Sequence, residues 1–189
     1  EAAQAWPMHC QRVCDELQVP LSIVSVAVAA TASVEQAART ARYAAFVEQL
    51  DADEVLLMAQ HQDDQIETLL FRLMRGTGVA GLRGIPLTRA LSCGQVLRPL
   101  LGISQQHILE YAQQHQLQWV EDPSNGADDF DRNYLRHQVV PALKARWPQM
   151  QQSMQRTAQH MGEAQELLDE LAAQDLQRAQ IEPALAWLN

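Results

Sequence analysis

The feature that most constrains this chain is an alternation, along its N-terminal part, of helical apolar periodicity with short apolar runs. Apolar side chains recur at helical spacing over residues 7–18, and the run at 21–28 is short and β-branched, as a buried parallel strand is. An Ala-rich helix is predicted from a cap at Ser33 toward Leu50, and a second buried strand over residues 54–59. This order of elements predicts an α/β fold.

Start and stop signals extend the alternation along the chain. They predict a helix from Asp63 or Asp64 through Arg75, a Gly-rich loop at 76–86, a strand at 95–98 and a helix from Ser104 through His115. Helices that alternate with strands pack as a parallel sheet with helices on both faces, because right-handed crossovers leave few other arrangements. Ligands of such sheets gather at the carboxyl ends of the strands.

The last third of the chain is predicted to be helical after a polar loop. Asp, Asn and Gly dominate residues 122–131, and helical character begins at about Arg132. Pro141 and Pro148 are expected to interrupt the helix, because proline lacks the amide donor that a helix interior requires. One long amphipathic stretch then covers residues 149–180.

Length and composition indicate a globular protein. At 189 residues and 47% hydrophobic content, the chain can bury one core and begin a second domain. We expect an α/β domain over residues 1–146 and the start of a helical domain over 147–189. No apolar run reaches the roughly 18 residues of a spanning helix, and no secretory leader is recognisable, so we expect a cytoplasmic protein without a membrane partner.

The charge distribution predicts an anionic partner at one segment. The formal net charge of −9 argues against nucleic-acid binding by the whole surface. Between Glu67 and Glu110, however, there is no acidic residue, while five arginines fall there: Arg72, Arg75, Arg83, Arg89 and Arg98. The alternative is a chance gap in acidic residues on a solvated face.

Chemistry-bearing residues follow the predicted strand at 54–59. His61, Asp64 and Glu67 recur every third residue, so the two carboxylates project from one side of a helix near its N-terminus. They could hold Mg²⁺ against phosphates or orient an amine nucleophile. The alternative is that these carboxylates form an acidic first turn, which interacts favourably with the helix dipole and has no catalytic role. His61 is either a polar contact in the site or a buried histidine with its hydrogen bonds satisfied.

Two further motifs have structural alternatives of the same kind. Arg75-Gly76-Thr77-Gly78 ends the predicted helix, where glycines either form a left-handed C-cap or admit an anion to backbone amides. The C-cap interpretation is favoured, because phosphate loops usually lie at helix N-termini. Arg132 and Arg136 offer two guanidiniums one helical turn apart, suited to a triphosphate or an RNA backbone. The alternative is that Arg136 and Asp131 are ordinary solvated or paired charges.

Taken together, these segments resemble the tRNA(Ile)-lysidine synthases, members of the PP-loop ATP pyrophosphatases. The matching segments are residues 59–68 (AQHQDDQIET), 75–78 (RGTG), 98–100 (RPL), 122–125 (DPSN) and 132–136 (RNYLR), with Arg42-Tyr43 in the Ala-rich helix. Their order and spacing match from about residue 35 to residue 141. Each piece alone is weak, whereas the combination is highly specific.

The resemblance implies an activity and a set of substrates. ATP would adenylate the wobble cytosine of an isoleucine tRNA with a CAU anticodon at carbon 2, and the ε-amine of free L-lysine would then displace AMP to form lysidine. The cofactors implied are ATP and Mg²⁺, with no certain metal ligand and Asp64 as a candidate. The oligomeric state, including a homodimer, is left open.

The resemblance also implies roles for individual residues. Asp64 and Glu67 would position the lysine amine and help to deprotonate it, and Arg132 would stabilise charge on the adenylated intermediate. Substrate binding would fall to six further residues: His61, Arg75, Gly76, Gly78, Asn133 and Arg136.

One departure from the family concerns the phosphate-gripping loop. Enzymes of this class carry a Ser-Gly-Gly-x-Asp-Ser loop after their first strand, and this sequence contains no such segment. We therefore expect that an N-terminal portion and most of a C-terminal region lie outside the sequence, and that the chain by itself binds ATP poorly and is inactive.

Two alternative functions differ in the nucleophile or in the presence of catalysis. A tRNA thiolase or amidotransferase-linked synthetase of the same class is less favoured, because its reactive CxxC cysteine pairs are missing. A non-catalytic RNA-binding or scaffold domain is the third hypothesis.

Overall fold

The chain forms two compact units that interleave along the sequence. The structure is a computed structural model and describes residues 2–28, 34–122 and 131–178. The sheet unit comprises Glu1–Met58, Thr88–Arg98 and Ile108–Ala127, and the helical unit comprises Ala59–Leu87, Pro99–His107 and Asp128–Asn189. The predicted cap at Ser33 and residues 123–130 of the predicted polar loop lie outside the described residues. No helix in the described part is long and apolar enough to span a membrane.

The sheet unit holds a small mixed sheet. Its elements are α1 (Ala2–Leu17), α2 (Val34–Gln49), β1 (Val55–Leu57), β2 (Thr88–Leu91), β3 (Gly94–Leu97) and most of α5 (Gln105–Gln114). The strand order is β1-β3-β2, in which β1 runs parallel to β3 and β2 pairs with β3 as an antiparallel hairpin. The α/β class is confirmed, but the expectation of an all-parallel sheet is wrong. A tight turn allows neighbouring strands to pair locally, which apolar periodicity did not reveal.

Two strand predictions differ from the structure in burial or in form. Residues 21–28 form no regular element, and Ile23 and Val24 are exposed. A parallel strand needs a paired neighbour and a covering layer, and within the described residues no strand pairs with this segment. The strand predicted over 54–59 exists only as Val55–Leu57, and both of these residues are exposed, so its predicted burial is wrong.

The helical unit is built around α3 (Gln62–Met74). The other elements are α4 (Val79–Leu82), α6 (Asp131–Tyr134), a π-helical turn (Leu135–Val139), α7 (Val140–Arg146) and α8 (Met150–Arg178). Ile66 and Leu70 lie one turn apart on α3 and pack in one core with Leu135, Val140 and Met150. Burial of such apolar side chains stabilises the fold by about 1.5–3 kcal/mol each.

The segment that carries Arg132 and Arg136 passes through Pro141 without a break. Pro141 lies at the start of α7, where a missing amide donor costs little, so the predicted interruption there is wrong. The preceding π-helical turn is closed by a hydrogen bond from the Val140 amide to the Leu135 carbonyl. The helix does end before Pro148, at Arg146.

Candidate active site

The first two turns of α3 gather three carboxylates. His61 is the extended residue that precedes the helix, and its amide donates to Asp64 Oδ2 over 3.0 Å. Asp63 and Asp64 therefore lie beside the exposed amides of the helix N-terminus, where negative charge is favoured. Glu67, one turn further on, lies on the side of the helix shared with Asp64.

Two arginines from one later helical segment bind the carboxylates of Asp64 and Glu67. Arg132 bridges the two: its Nε donates to Glu67 Oε2 over 2.7 Å and its Nη2 donates to Asp64 Oδ1 over 2.8 Å. Arg136 donates from Nε to Glu67 Oε1 over 2.6 Å and from Nη2 to Glu67 Oε2 over 3.0 Å. We call these four residues the acid–arginine cluster. The structure thus brings together Asp64, Glu67 and Arg132, the three residues predicted to be catalytic.

Burial differs across the cluster. The side chain of Glu67 is 2% exposed and that of Asp64 is 15% exposed, whereas Arg132 is 39% exposed. The hydrogen bond to Glu67 and the nearby negative charges raise the pKa of Arg136 above its ordinary value and outweigh partial burial. Two carboxylates and two guanidiniums leave the cluster formally neutral, which is how a buried carboxylate such as Glu67 is tolerated.

Asp63 has its own set of partners. Its Oδ1 accepts from Lys144 Nζ over 2.8 Å and from Gln151 Nε2 over 3.0 Å, and its Oδ2 accepts from the Gln105 amide over 2.8 Å. Burial by itself would raise the pKa of Asp63, but these hydrogen bonds and the charge of Lys144 outweigh it and lower that pKa. This group, the Asp63 clamp, ties α3 to α7, to α8 and to the start of α5.

His61 lies between the two groups. Its Nδ1 is 3.8 Å from Asp63 Oδ2, and its Nε2 is 3.5 Å from Asp64 Oδ2. The Nδ1 atom is buried and has no hydrogen-bond partner among the described residues. Both interpretations of His61, a polar contact in the site and a buried histidine with its hydrogen bonds satisfied, stay predictions.

The remaining predicted substrate-binding residues lie apart from the cluster or beside it. Arg75, Gly76 and Gly78 follow the far end of α3, which at a rise of about 1.5 Å per residue places Arg75 roughly 16 Å from Asp64. Gly76 has a φ of +70°, and its amide donates to the Leu73 carbonyl, so the glycine forms a left-handed C-cap. Asn133 is half-buried on α6, next to Arg132.

Sequence reasoning missed Lys144 and Gln151. Asp63 was considered only as a helix cap, although adjacent positions on a helix point in different directions and so meet different partners. A signal for Lys144 was available, because it is the only lysine in the chain. A sole ammonium on a helix near several carboxylates is a natural partner for one of them.

A divalent metal does not fit the observed donor set. Within the described residues no group of three His, Cys, Asp or Glu side chains is arranged to hold a metal ion. Asp64, the candidate Mg²⁺ ligand, already accepts from Arg132 with one oxygen and from the His61 amide with the other. Magnesium requires near-octahedral oxygen ligands, which these engaged carboxylates do not supply.

The chain is an α/β protein with a small mixed sheet and with a helical unit that carries the acid–arginine cluster as its candidate active site. A family model described as a PP-loop domain matches residues 1–143. The chain belongs to this PP-loop family.

Relatives with assigned names share most of this chain. It is 56% identical to a tRNA(Ile)-lysidine synthase of Pseudomonas fluorescens strain Pf0-1. The match covers 98% of this chain and 42% of that synthase. The corresponding enzyme of Pseudomonas putida is 54% identical with 44% covered, and that of Yersinia pestis is 48% identical with 39% covered. The chain thus spans about two fifths of the length of the curated relatives it matches.

Proposed function

We propose that the chain forms part of the catalytic domain of an ATP-dependent ligase that joins lysine to carbon 2 of the wobble cytidine of an isoleucine tRNA with a CAU anticodon. Support comes from the acid–arginine cluster, in which two carboxylates suited to an amine lie against two guanidiniums suited to a phosphate. The similarity to the named synthases is the second support. We place this activity in the cytoplasm.

The cluster suggests an exchange of partners on substrate binding. Because it is neutral, an incoming lysine ammonium gains little from the carboxylates while both guanidiniums remain in place. A phosphate arriving with ATP or the adenylated tRNA would draw away Arg132, the more exposed arginine, and free Oδ1 of Asp64, while Arg136 would keep both oxygens of Glu67. Binding of the nucleotide would thereby prepare the amine site.

The chemistry requires two substitutions. In the first, the oxygen on carbon 2 attacks the α-phosphorus of ATP and pyrophosphate leaves. In the second, the lysine Nε forms a bond to carbon 2, the carbon–oxygen bond to AMP breaks, and the amine proton passes to a carboxylate of the cluster. Asp64 and Glu67 would accept that proton, and Arg132 would stabilise the phosphate charge of the leaving AMP.

The predicted substrate-binding residues receive graded roles. Arg136 and Asn133 lie on the segment that carries Arg132, and His61 lies between the cluster and the Asp63 clamp, so these three would shape the reacting end of the site. Arg75, Gly76 and Gly78 are distant along α3 and would contact a part of the tRNA remote from the reacting carbon. A reaction at the wobble base requires that this base be unstacked into a pocket. Unstacking costs little free energy in a single-stranded anticodon loop.

The test combines an activity assay with the exchange of partners. The intact gene product is incubated with ATP, labelled lysine and isoleucine tRNA, and label in the RNA is measured. Arg132→Ala should lower turnover by roughly 10²–10³-fold, as loss of one charge-stabilising donor does. The same variant should bind lysine more tightly in the absence of ATP, because it leaves the carboxylates short of one cation.

The matched control is Arg156→Ala. Arg156 is exposed on α8, so this substitution removes the same charge at a position away from the cluster. It should behave like the parent protein in both assays. Labelled sulfur entering the RNA in place of lysine would support the thiolase alternative. Loss of turnover with no gain in lysine binding would reject the exchange of partners but not the lysine-transfer activity.

A further inference from the structure

A second basic site lies in the sheet unit, away from the acid–arginine cluster in chemistry and in sequence. A cavity of about 320 Å³ is lined by Gln36, Arg39, Thr40 and Tyr43 of α2 and by Arg89 and Leu91 of β2. Positions 36, 39, 40 and 43 share one face of α2, as their spacing of three and four residues requires. None of the roles proposed above uses these residues.

Both arginines are held over a single aromatic ring. The guanidinium carbon of Arg39 is 4.9 Å from the centroid of the Tyr43 ring, and that of Arg89 is 5.0 Å from it. Tyr43 itself is fixed, because its hydroxyl donates to Met58 Sδ over 3.4 Å and its ring meets Phe46 edge-on. Both guanidiniums are therefore held within about 5 Å of the centre of one fixed ring.

The charge of these two arginines is not compensated by the described side chains. Arg132 and Arg136 are each paired with carboxylates, and Arg72 is bound to the Gly81 and Gly84 carbonyls. Among the side chains described over residues 36–122 and 131–178, by contrast, no carboxylate pairs with Arg39 or Arg89. Like charges held near each other repel, so an anion between them is stabilised.

We propose that this cavity binds a phosphate group, from an RNA backbone or from a free nucleotide. Two guanidiniums present forked donors that match phosphate oxygens, and the ring on which they stack limits the side-chain freedom lost on binding. Arg89 also lies in the segment between Glu67 and Glu110 that has no acidic residue, for which the sequence predicts an anionic partner. The inference draws on the proposed function only in naming RNA as one source of the phosphate.

The test measures binding without catalysis, so its failure is distinct from failure of the proposed activity. The intact gene product is titrated with a fluorescent single-stranded RNA oligonucleotide of mixed sequence, and separately with ATP, each without lysine. Arg39→Gln and Arg89→Gln should each weaken binding by roughly tenfold, the effect of losing one charged hydrogen-bond partner. For RNA, the slope of log Kd against log salt should also fall by about 0.7 for each lost contact.

The control is Arg42→Gln, on the same helix and with the same change of charge, because Arg42 is exposed and does not line the cavity. Arg89→Lys keeps the positive charge but removes the forked donors of the guanidinium. This variant keeps the test informative if a glutamine variant unfolds. Weaker RNA binding in the Arg39 and Arg89 variants alone supports an RNA phosphate, and weaker ATP binding in them alone supports a nucleotide phosphate. If Arg42→Gln weakens binding as much as they do, or if none does, the cavity site is rejected.

Discussion

The two ends of α3 are built from motifs that look equally functional in the sequence and behave differently in the structure. Over the first two turns, Asp63, Asp64 and Glu67 each meet cations from distant parts of the helical unit. At the last turn, Arg75 stacks over Phe71 of its own helix, and Gly76 closes the helix with a left-handed backbone. Long-range partners therefore distinguish the two ends, although both carry charged or flexible residues.

The first turn also shows that capping and chemistry are not exclusive. Asp64 accepts the His61 amide with Oδ2 and the Arg132 guanidinium with Oδ1, so one carboxylate caps the helix and belongs to the cluster. Helix capping holds that carboxylate in one orientation, which a site for a reacting amine requires. The capping interpretation of the acidic turn explains its position but leaves its arginine partners unexplained.

The largest effect is expected for Glu67→Gln, at the buried centre of the cluster. This variant should lower lysine incorporation by roughly 10²–10⁴-fold, the range for loss of a positioned general base. It should also lower the free energy of unfolding by about 3–5 kcal/mol, because two guanidiniums lose their shared partner in a buried setting. Activity is measured by label transfer, and stability by denaturant unfolding of the same preparation.

Glu163→Gln is the control for that substitution, since Glu163 is exposed on α8 and its partners among the described residues, Gln159 and His160, lie on its own helix. It should leave lysine incorporation unchanged. Equal losses of activity in the two variants would contradict a specific role of the acid–arginine cluster in lysine incorporation.

An intermediate effect, on stability alone, is expected for Asp63→Asn. The variant loses a charged partner of Lys144 and should lower the free energy of unfolding by about 1.5–3 kcal/mol. At a temperature where both proteins are folded, lysine incorporation should match that of the parent, because the Asp63 clamp positions α3 and contacts neither guanidinium of the cluster. A loss of turnover comparable to that of Glu67→Gln would show that the Asp63 clamp contributes to catalysis as the acid–arginine cluster does.

The same variant has an expected dependence on pH. Because the pKa of Asp63 is lower in the folded chain than in the unfolded chain, the unfolded carboxylate takes up a proton first as the pH falls. The stabilisation is complete above the unfolded value of about 3.9 and is lost as the pH falls through the folded value. The stability difference between parent and Asp63→Asn should therefore persist above about pH 5 and shrink below about pH 4.

Local signals in the sequence were enough to place α3 and α5 closely. Ser104 was predicted to start a helix, and its hydroxyl oxygen accepts the His107 amide just before α5 begins at Gln105. The spacing of Asp64 and Glu67 placed both carboxylates on one side of α3. These predictions depend on contacts within a few residues, which a sequence pattern records directly.

Features that depend on distant contacts could not be predicted in the same way. Arg132 bridges Asp64 and Glu67, and Lys144 binds Asp63. Both contacts depend on how α6 and α7 pack on α3, and each joins residues more than sixty positions apart in the sequence. The apolar run at 21–28 failed as a strand prediction for a related reason. A β-branched composition favours extended backbone, but a strand forms only where a partner supplies the hydrogen bonds.

The smallest effect is expected at the other end of the helix, for Gly76→Ala. A Cβ there meets no atom within 4 Å, so the cost arises from the φ of +70° alone, and the free energy of unfolding should fall by about 1–2 kcal/mol. Gly78→Ala is the matched control, because its φ is −89° and its Cβ also has open space, so it should lose less stability than Gly76→Ala. Equal losses would show that the backbone conformation at Gly76 is not the cause. With stability accounted for, a rise in KM for tRNA in Gly78→Ala would support substrate contact by this segment, and an unchanged KM would limit it to ending the helix.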